Sequence, residues 1–140
     1  MNLMMPKKRK FRKAFGGVSK GMSKSGNFLN WGDFGLKATS IGDVKARQIE
    51  AARSAIRRAM KRAGMLWIRI FPDVPRSKKP LEVRMGSGKG NVEFWAAPVR
   101  PGRILFEIAG VNEDIAMKAL ELAKSKLSIK SVAISRRSEL

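Results

Sequence analysis

The chain has 140 residues, of which 30 are Lys or Arg and 11 are Asp or Glu, giving a formal net charge of +19. A charge of this size repels itself in an isolated compact chain, so it favours a polyanionic partner, either nucleic acid or an anionic membrane. Cysteine, histidine and tyrosine are absent, which excludes disulfides, thiol nucleophiles and the usual zinc ligands. We therefore expect no enzyme, no catalytic residues, no cofactor and no metal.

The first 27 residues are predicted to form a basic extended arm. Between Met1 and Lys24 there are eight basic residues and no acidic one, and glycines and serines interrupt the segment. Such a segment buries too little apolar surface to offset its chain entropy, so we expect it to be disordered until it binds a partner. It has no apolar stretch of the secretory type, and the chain has no run long enough to span a bilayer, which favours an intracellular protein.

Residues 28–140 are predicted to form one α+β domain of mixed strands, with two helices on one face. The predicted elements, in chain order, are a strand at 34–38, a helix at about 46–63 closed by Gly64, strands at 66–71 and 81–85, an antiparallel pair at 91–99 and 103–109 turned by Pro101-Gly102, a helix capped by Asn112, and a strand at about 130–135. A basic connection with Arg76, Lys78 and Lys79 is expected between Pro75 and Pro80.

Apolar spacing identifies the faces that should be buried. Three- and four-residue spacing in the two helices predicts core faces, and most of the aromatic residues on the predicted strands are also expected to be core. Three carboxylates on predicted strands, Glu82, Glu93 and Glu107, are expected to form surface ion pairs. The predicted core residues of the helices are Ile49, Ala52, Ile56, Met60 and Ala63 in the first, and Ile115, Ala116, Ala119, Leu120, Ala123 and Leu127 in the second; the strand aromatics are Trp67, Phe71, Phe94 and Trp95.

The first predicted helix is the strongest indication of RNA binding. Its non-core faces are almost entirely basic, with Glu50 the only acid, and like charges four residues apart repel by roughly 0.2–0.5 kcal/mol per pair. A phosphate surface would turn that cost into binding energy, and arginine suits bidentate phosphate contacts. The alternative is a basic face that is merely solvated. Its basic residues are Arg47, Arg53, Arg57, Arg58, Lys61 and Arg62.

Two further segments are candidate RNA contacts. The run from Pro6 to Lys13 fits any polyanion and also resembles a nuclear-import signal; Phe11 and Phe15 could stack on bases or anchor the arm to the body. The loop from Gly86 to Gly90 is not a P-loop, because Gly90 rather than Ser or Thr follows Lys89, and it lies between two predicted strands rather than before a helix. It could instead be a mobile basic finger or an ordinary hairpin loop.

Several stretches resemble the family of universal large-subunit ribosomal protein sixteen. The two signature stretches are RAGMLWIRIFP at 62–72 and RMGSGKGNVE at 84–93, supported by PKKRKFRK at 6–13, FGLKA at 34–38 and ARQIEAAR at 46–53. The similarity covers nearly the whole chain. It implies an α/β-hammerhead-like domain at the base of the central protuberance of the large subunit, which binds large-subunit rRNA along the corridor for aminoacyl-tRNA and does not perform the chemistry.

The resemblance also assigns partners: large-subunit rRNA, A-site tRNA with P-site tRNA as a further candidate, and neighbouring ribosomal proteins, with no membrane and no small-molecule substrate. The rRNA-binding candidates are Lys7, Lys8, Arg9, Lys10, Arg12, Lys13, Arg47, Lys61, Arg62 and Arg69. The tRNA-proximal candidates are Arg53, Arg57, Arg58, Arg84, Met85, Gly86, Ser87, Gly88, Lys89 and Gly90.

This sequence departs from the family pattern at three places. Lys45 stands where Ser or Thr often precedes the first helix, Ser87 replaces a common Lys in the loop, and residues 16–30 are less typical. A free-standing RNA chaperone is the alternative function, and a nucleotide-dependent enzyme is a second alternative. The expected location is the bacterial cytoplasm, with a mitochondrial or plastid ribosome as the alternative.

Overall fold

The structure is a computed structural model that describes residues 4–17 and 19–139. Within these residues there are seven strands, two α-helices and a final 3₁₀ turn. The elements are β1 (Phe34–Ala38), β2 (Gly42–Lys45), α1 (Ala46–Ala59), β3 (Met65–Ile68), β4 (Val74–Lys78), β5 (Asn91–Val99), β6 (Ile104–Ala109), α2 (Glu113–Lys124), β7 (Ser131–Ser135) and the 3₁₀ turn Arg136–Glu139.

The strands form two antiparallel sheets, one ordered β3-β6-β1-β7 and the other β2-β5-β4. The helices α1 and α2 pack against each other; α2 also contacts β1 and β7, while α1 also contacts β2 and β5. All six residues of β6 are buried. The predicted α+β class, with one compact domain and two helices, is confirmed.

The predicted pairing of 91–99 with 103–109 is wrong. The strand β5 has β2 on one side and β4 on the other, so neither of its edges is free for β6. The Pro101-Gly102 turn is present, with Gly102 at a φ of +98°. It carries the chain from one sheet to the other, and the Gly102 N–H donates to the Ala38 carbonyl at 2.8 Å. A local turn signal therefore did not predict which strands pair.

Two other strand predictions need correction. Residues 81–85 form no strand, whereas the predicted basic connection contains β4. Proline supplies no N–H to a ladder, and β4 accommodates Pro75 because it is an edge strand. The strand β2 was not predicted. It follows β1 after a short turn. The predicted strand at 66–71 is shorter in the structure, where β3 ends at Ile68.

The end of α1 also differs from the prediction. The helix ends at Ala59, and the non-glycine residues Lys61 and Arg62 follow at φ values of +52° and +61°. Gly64 does have a positive φ, +70°, but it lies beyond this turn rather than directly after the helix. At the start of α2, Asn112 occupies the predicted N-cap position without a side-chain cap hydrogen bond.

The buried faces agree closely with the predicted ones, with a few exceptions. In α1 the predicted core residues through Met60 are buried, whereas Ala63 is exposed. In α2, Ile115 is 41% exposed. The strand aromatics predicted as core are only partly buried, and Phe71 is 47% exposed. The aromatic residue at the centre of the core is Phe106.

A buried carboxylate organises the segment that precedes β1. Glu107 lies in the middle of β6 with no exposed surface, so the prediction of a surface ion pair is wrong. Its Oε1 accepts the N–H groups of residues 30, 31 and 32, at 2.6, 3.3 and 3.5 Å. Its Oε2 faces Nε of Arg69 at 3.5 Å, as an ion pair without a hydrogen bond. The Arg69 guanidinium also donates to the Phe28 carbonyl at 2.6 Å.

The segment 4–33 contains no helix or strand in its described part. Its later half is nevertheless bonded to the domain: the Ser23 N–H donates to the Pro101 carbonyl at 2.9 Å, and the Gly26 carbonyl accepts the Ile104 N–H at 2.8 Å. Met4 packs against the core. The arm boundary at residue 27, and its disorder before binding, stay predictions.

We expect Glu107→Ala to lower the free energy of unfolding by about 3–5 kcal/mol, because it leaves Arg69 and three N–H groups without their buried acceptor. Urea denaturation of the full chain measures this. The control is Glu93→Ala on the exposed side of β5, which we expect to stay within about 0.5 kcal/mol of the wild type. Equal losses in the two variants would contradict a structural role for Glu107.

A substitution at Gly32 tests the same region, because backbone atoms of β6 lie close to this residue. A Cβ at this position would lie 2.8 Å from the Ile108 carbonyl oxygen and 2.9 Å from the Ile108 nitrogen. We expect Gly32→Ala to cost about 1–3 kcal/mol, because backbone atoms must shift to admit the methyl group. Gly16→Ala meets nothing within 4 Å and is the matched control. Thermal unfolding of the two variants side by side distinguishes crowding at Gly32 from a general glycine effect.

Candidate nucleic-acid interface

The arginines of α1 and of the turn that follows it form one continuous basic surface. Arg53, Arg57, Arg58 and Arg62, which we call the arginine face, line a surface depression of about 460 Å³ together with Ser54. The opposite side of the helix holds it to the domain through the buried Ile49, Ala52 and Ile56. The apolar spacing therefore determines which way the arginines point. Basic residues outside the depression add to the charge of this region: Arg47 and Lys61 are both exposed.

Two arginines of this face have partners within the chain. The Arg53 guanidinium donates to Glu50, with Nε 3.0 Å from Oε2. These hydrogen bonds lower the pKa of the Glu50 carboxyl and raise the pKa of Arg53, so both remain charged. An exposed ion pair of this kind contributes only about 0–1 kcal/mol. Arg57 Nη1 donates to the Gly64 carbonyl at 3.3 Å, which positions that side chain near the turn after α1.

The basic run of the arm lies beside β5. All six of its basic residues are exposed, and most of them line a depression of about 670 Å³ that also includes Asn91, Val92 and Trp95. The Arg9 guanidinium lies 5.6 Å from the centre of the Trp95 ring and donates to the Asp73 carbonyl. The six residues are Lys7, Lys8, Arg9, Lys10, Arg12 and Lys13.

The two phenylalanines of the arm do not anchor it. Phe11 is 68% exposed and Phe15 is fully exposed, so the structure contradicts the alternative of a hydrophobic anchor at these positions. The arm instead contacts the domain through Met4, which packs against the core, and through Arg9. Stacking of Phe11 and Phe15 on bases stays a prediction.

The glycine-rich loop connects β4 to β5, and residues 81–89 are all exposed. These two strands pair antiparallel, so the prediction that the loop joins two strands is confirmed, although the first of them is β4 rather than 81–85. Gly86 and Gly88 adopt positive φ, and so does Ser87 at +61°. Met85 at the tip is fully exposed. A phosphate-binding P-loop leads into a helix, whereas this loop leads into β5.

The arm and the loop contact each other. The Lys13 Nζ donates to the Lys89 carbonyl at 2.9 Å, and the Lys89 Nζ donates to the Ala14 carbonyl. The Lys79 Nζ also donates to the Gly86 carbonyl. The sequence identified both segments as basic but contained no signal that they meet, because they lie far apart along the chain. Lys79 and Trp95 are among the members of this surface that were not predicted as contacts.

One predicted contact has a different environment. Arg69 was predicted to bind rRNA, but its side chain is only 10% exposed and pairs with Glu107. It also lies 5.2 Å from the Trp31 ring centre. Its internal partners give it a structural role, and we do not include it in the interface. Arg84 is exposed on the loop, as predicted.

Other kinds of site receive no support from the described part of the chain. Residues 4–17 and 19–139 contain no group of three or more acidic residues arranged to hold a metal ion. None of their helices is both long and apolar enough to cross a membrane.

Comparisons with known proteins identify the family of the chain. Residues 6–134 match the family model described as ribosomal protein L16p/L10e. The chain is 60% identical over 138 residues to large ribosomal subunit protein uL16 of Rhodospirillum rubrum, covering 99% of this chain and 100% of that protein. It is 60% identical to the protein of the same name in Gluconobacter oxydans (96% of this chain, 97% of that protein). It is 53% identical to the protein of the same name in Stenotrophomonas maltophilia (96% of this chain, 98% of that protein).

The family resemblance carried by residues 62–72 and 84–93 is therefore confirmed, and with it the expectation that the chain is not an enzyme. The matched region contains both helices, all seven described strands except the last residue of β7, the arginine face, the basic arm from Pro6 and the glycine-rich loop. The chain belongs to the ribosomal protein L16p/L10e family.

Proposed function

We propose that this protein is a structural constituent of the large ribosomal subunit, where it binds large-subunit rRNA and helps to shape the corridor through which aminoacyl-tRNA reaches the peptidyl-transferase centre. The relatives named above are large-subunit proteins of bacteria, which supports a bacterial ribosome in the cytoplasm as its location. The partners are rRNA, A-site tRNA with P-site tRNA as a further candidate, and neighbouring ribosomal proteins.

The observation that carries the proposal is the distribution of positive charge over two surfaces of different shape. The arginine face is a rigid helical surface that is held by a buried apolar stripe. The arm and the glycine-rich loop form a second surface with little regular structure. Arginines on a fixed helix suit phosphate groups of a folded RNA, and exposed loops suit close approach to a backbone.

The shapes of the two surfaces are the basis on which we assign their RNA partners. We assign rRNA binding to the arm and to Arg47, Lys61 and Arg62. We assign contact with tRNA to the loop Arg84–Gly90 and to the outer arginines of α1. The exposed loop tip extends from β4 and β5 without being part of the core, so it can reach a ligand while the domain stays attached to rRNA. The outer arginines are Arg53, Arg57 and Arg58.

We expect the double substitution Arg57→Ala/Arg58→Ala to weaken RNA binding and to reduce the slope of log K against log salt by about 0.7–0.9 for each phosphate that the variant no longer neutralises. Filter binding of the full chain to tRNA, the RNA assigned to these two arginines, at several salt concentrations measures this slope. The control Lys126→Ala/Lys130→Ala removes the same charge from exposed positions elsewhere. If both doubles change the slope equally, the arginine face does not contact phosphate specifically.

We expect a loop variant and an arm variant to lose activity in different assays. Deleting Gly86–Gly88 leaves Lys89 in the chain, so we expect normal incorporation into large subunits but slower accommodation of aminoacyl-tRNA, because the part that reaches the tRNA is shorter. Lys7→Ala/Lys8→Ala should do the reverse and lower incorporation at moderate salt. Sedimentation and single-turnover dipeptide formation are the two readouts. A loop deletion that lowers incorporation alone would contradict this division.

Sedimentation of the unmodified chain also separates the proposal from a free-standing RNA chaperone. A ribosomal constituent co-migrates with large subunits at moderate salt, whereas a chaperone distributes over free RNA.

A further inference from the structure

Two large aromatic side chains are exposed in the segment before β1, and the two basic surfaces described above do not include them. Phe28 is 65% exposed and Trp31 is 58% exposed, whereas Leu29 between them is buried. Single exposed apolar residues are common on protein surfaces. Two exposed aromatic rings three residues apart, each with a cation beside it, are a different case. We call Phe28 and Trp31 the aromatic pair.

A cation lies against each ring. Cζ of Arg69 is 5.2 Å from the centre of the Trp31 ring, and Nζ of Lys37 is 5.7 Å from the centre of the Phe28 ring. The Arg69 side chain is only 10% exposed, so the face of Trp31 that it covers is the inner one. The outer face of the indole is therefore open to a flat ligand.

The backbone that carries the aromatic pair is held in place by the domain. The Trp31 N–H donates to Oε1 of the buried Glu107 at 3.3 Å, and the Phe28 carbonyl accepts a hydrogen bond from Arg69 at 2.6 Å. Binding costs less entropy when the groups that make the contact are already ordered. The segment thus presents its two rings to solvent on a backbone that is bonded to the sheet.

We propose that the aromatic pair is a stacking site for an unpaired RNA base, with Trp31 as its main contact surface. This rests on the proposed function but adds a different kind of contact. Cations bind phosphates and read no sequence, whereas an aromatic ring binds a base that has left its helix. Bases within a duplex are stacked on their neighbours and do not reach the ring. The site therefore distinguishes an unpaired nucleotide from a helical one.

The charges around the aromatic pair favour a nucleotide over a protein segment. Residues 20–37 include three lysines and a single acid, Asp33. The fold adds Arg69 behind Trp31, and Arg136, whose Nη2 lies 3.3 Å from the Asn30 carbonyl. A nucleotide offers a flat base to the ring and a phosphate to these cations. A basic segment of another protein would meet charges of its own sign across the contact.

The first test compares single-stranded and duplex RNA at about 0.3 M salt, where phosphate contacts are weakened. We expect Trp31→Leu in the full chain to lower the affinity for an oligoadenylate of about twelve nucleotides by about fivefold or more, the loss of one stacked base. The affinity for a duplex of the same length should change by less than about twofold, because no phosphate contact is lost. Fluorescence anisotropy of labelled RNA measures both affinities.

Two variants control for effects other than stacking. Trp31→Phe keeps an aromatic ring against Arg69 and should retain most of the affinity. Met22→Ala removes a 70% exposed apolar side chain, but no ring, from the same N-terminal segment, and should bind both RNAs like the wild type. Urea denaturation shows whether each variant is folded. An equal loss for single-stranded and duplex RNA in Trp31→Leu would overturn the stacking site.

The second test needs no substitution. Ultraviolet irradiation of assembled large subunits joins stacked bases to aromatic rings, and trypsin then releases residues 25–37, which contain both rings, as one peptide. We expect mass spectrometry to find a nucleotide attached to Phe28 or Trp31 in this peptide. An adduct in subunits washed free of tRNA identifies the base as part of rRNA, and an adduct that requires bound tRNA identifies it as part of tRNA.

The remaining outcomes separate this inference from the proposed function. If residues 25–37 carry no nucleotide while peptides of the arm or of α1 do, the stacking site is overturned and the proposed function stands. If the chain is absent from large subunits and none of its peptides carries a nucleotide, the proposed function itself is overturned.

Discussion

The fold depends on a carboxylate placed where no water reaches it. Glu107 is on β6, an inner strand of the larger sheet, and a buried charge in that position is unfavourable unless it is paired. The chain supplies the pairing with Arg69 and with three backbone N–H groups of residues 30–32. Because these partners come from the residue that follows β3 and from the segment before β1, the carboxylate fixes where the irregular N-terminal segment meets the sheet.

Other contacts extend this attachment along the same segment. Arg136 Nη2 donates to the Gly32 carbonyl at 2.9 Å and to the Asn30 carbonyl at 3.3 Å. The Asp33 N–H donates to the Ile108 carbonyl at 2.9 Å. A chain with so much like charge needs such internal cation–anion and backbone contacts, since its surface arginines and lysines do not stabilise it in the absence of a polyanion. Arg69 and Arg136 therefore stabilise the domain through partners in the chain, whereas the other surface arginines and lysines add to its self-repulsion.

Local signals predicted the elements well and the long-range arrangement less well. The helix α2, β1 and the buried face of α1 follow from periodicity, because burying an apolar stripe determines how a helix packs. Strand pairing does not follow from local signals. The Pro101-Gly102 turn predicted a hairpin, but the free edges of the sheets decided the pairing. The pattern predicted a basic connection between Pro75 and Pro80 and no strand at 74–78. The sequence does not show which strands are at an edge, where proline is accepted.

The candidate site shows the same limit. Positive charge identified the arginine face, the arm and the loop one by one, since each is continuous in sequence. Charge alone could not distinguish Arg69, whose partner Glu107 is distant in sequence and buried, from an arginine that faces a phosphate. Nor could it show that Lys13 and Lys89 reach each other's segments, because that contact depends on how the arm lies across β5.

The turn after α1 places stability and charge in competition. Lys61 and Arg62 adopt a left-handed backbone conformation that costs about 1–2 kcal/mol for a residue with a side chain and nothing comparable for glycine. Glycine at either position would relieve that strain but would remove a cation next to the arginine face. The turn therefore keeps two positive charges at this end of α1 at a cost in stability, and a more stable chain with glycine at these positions would carry less charge there.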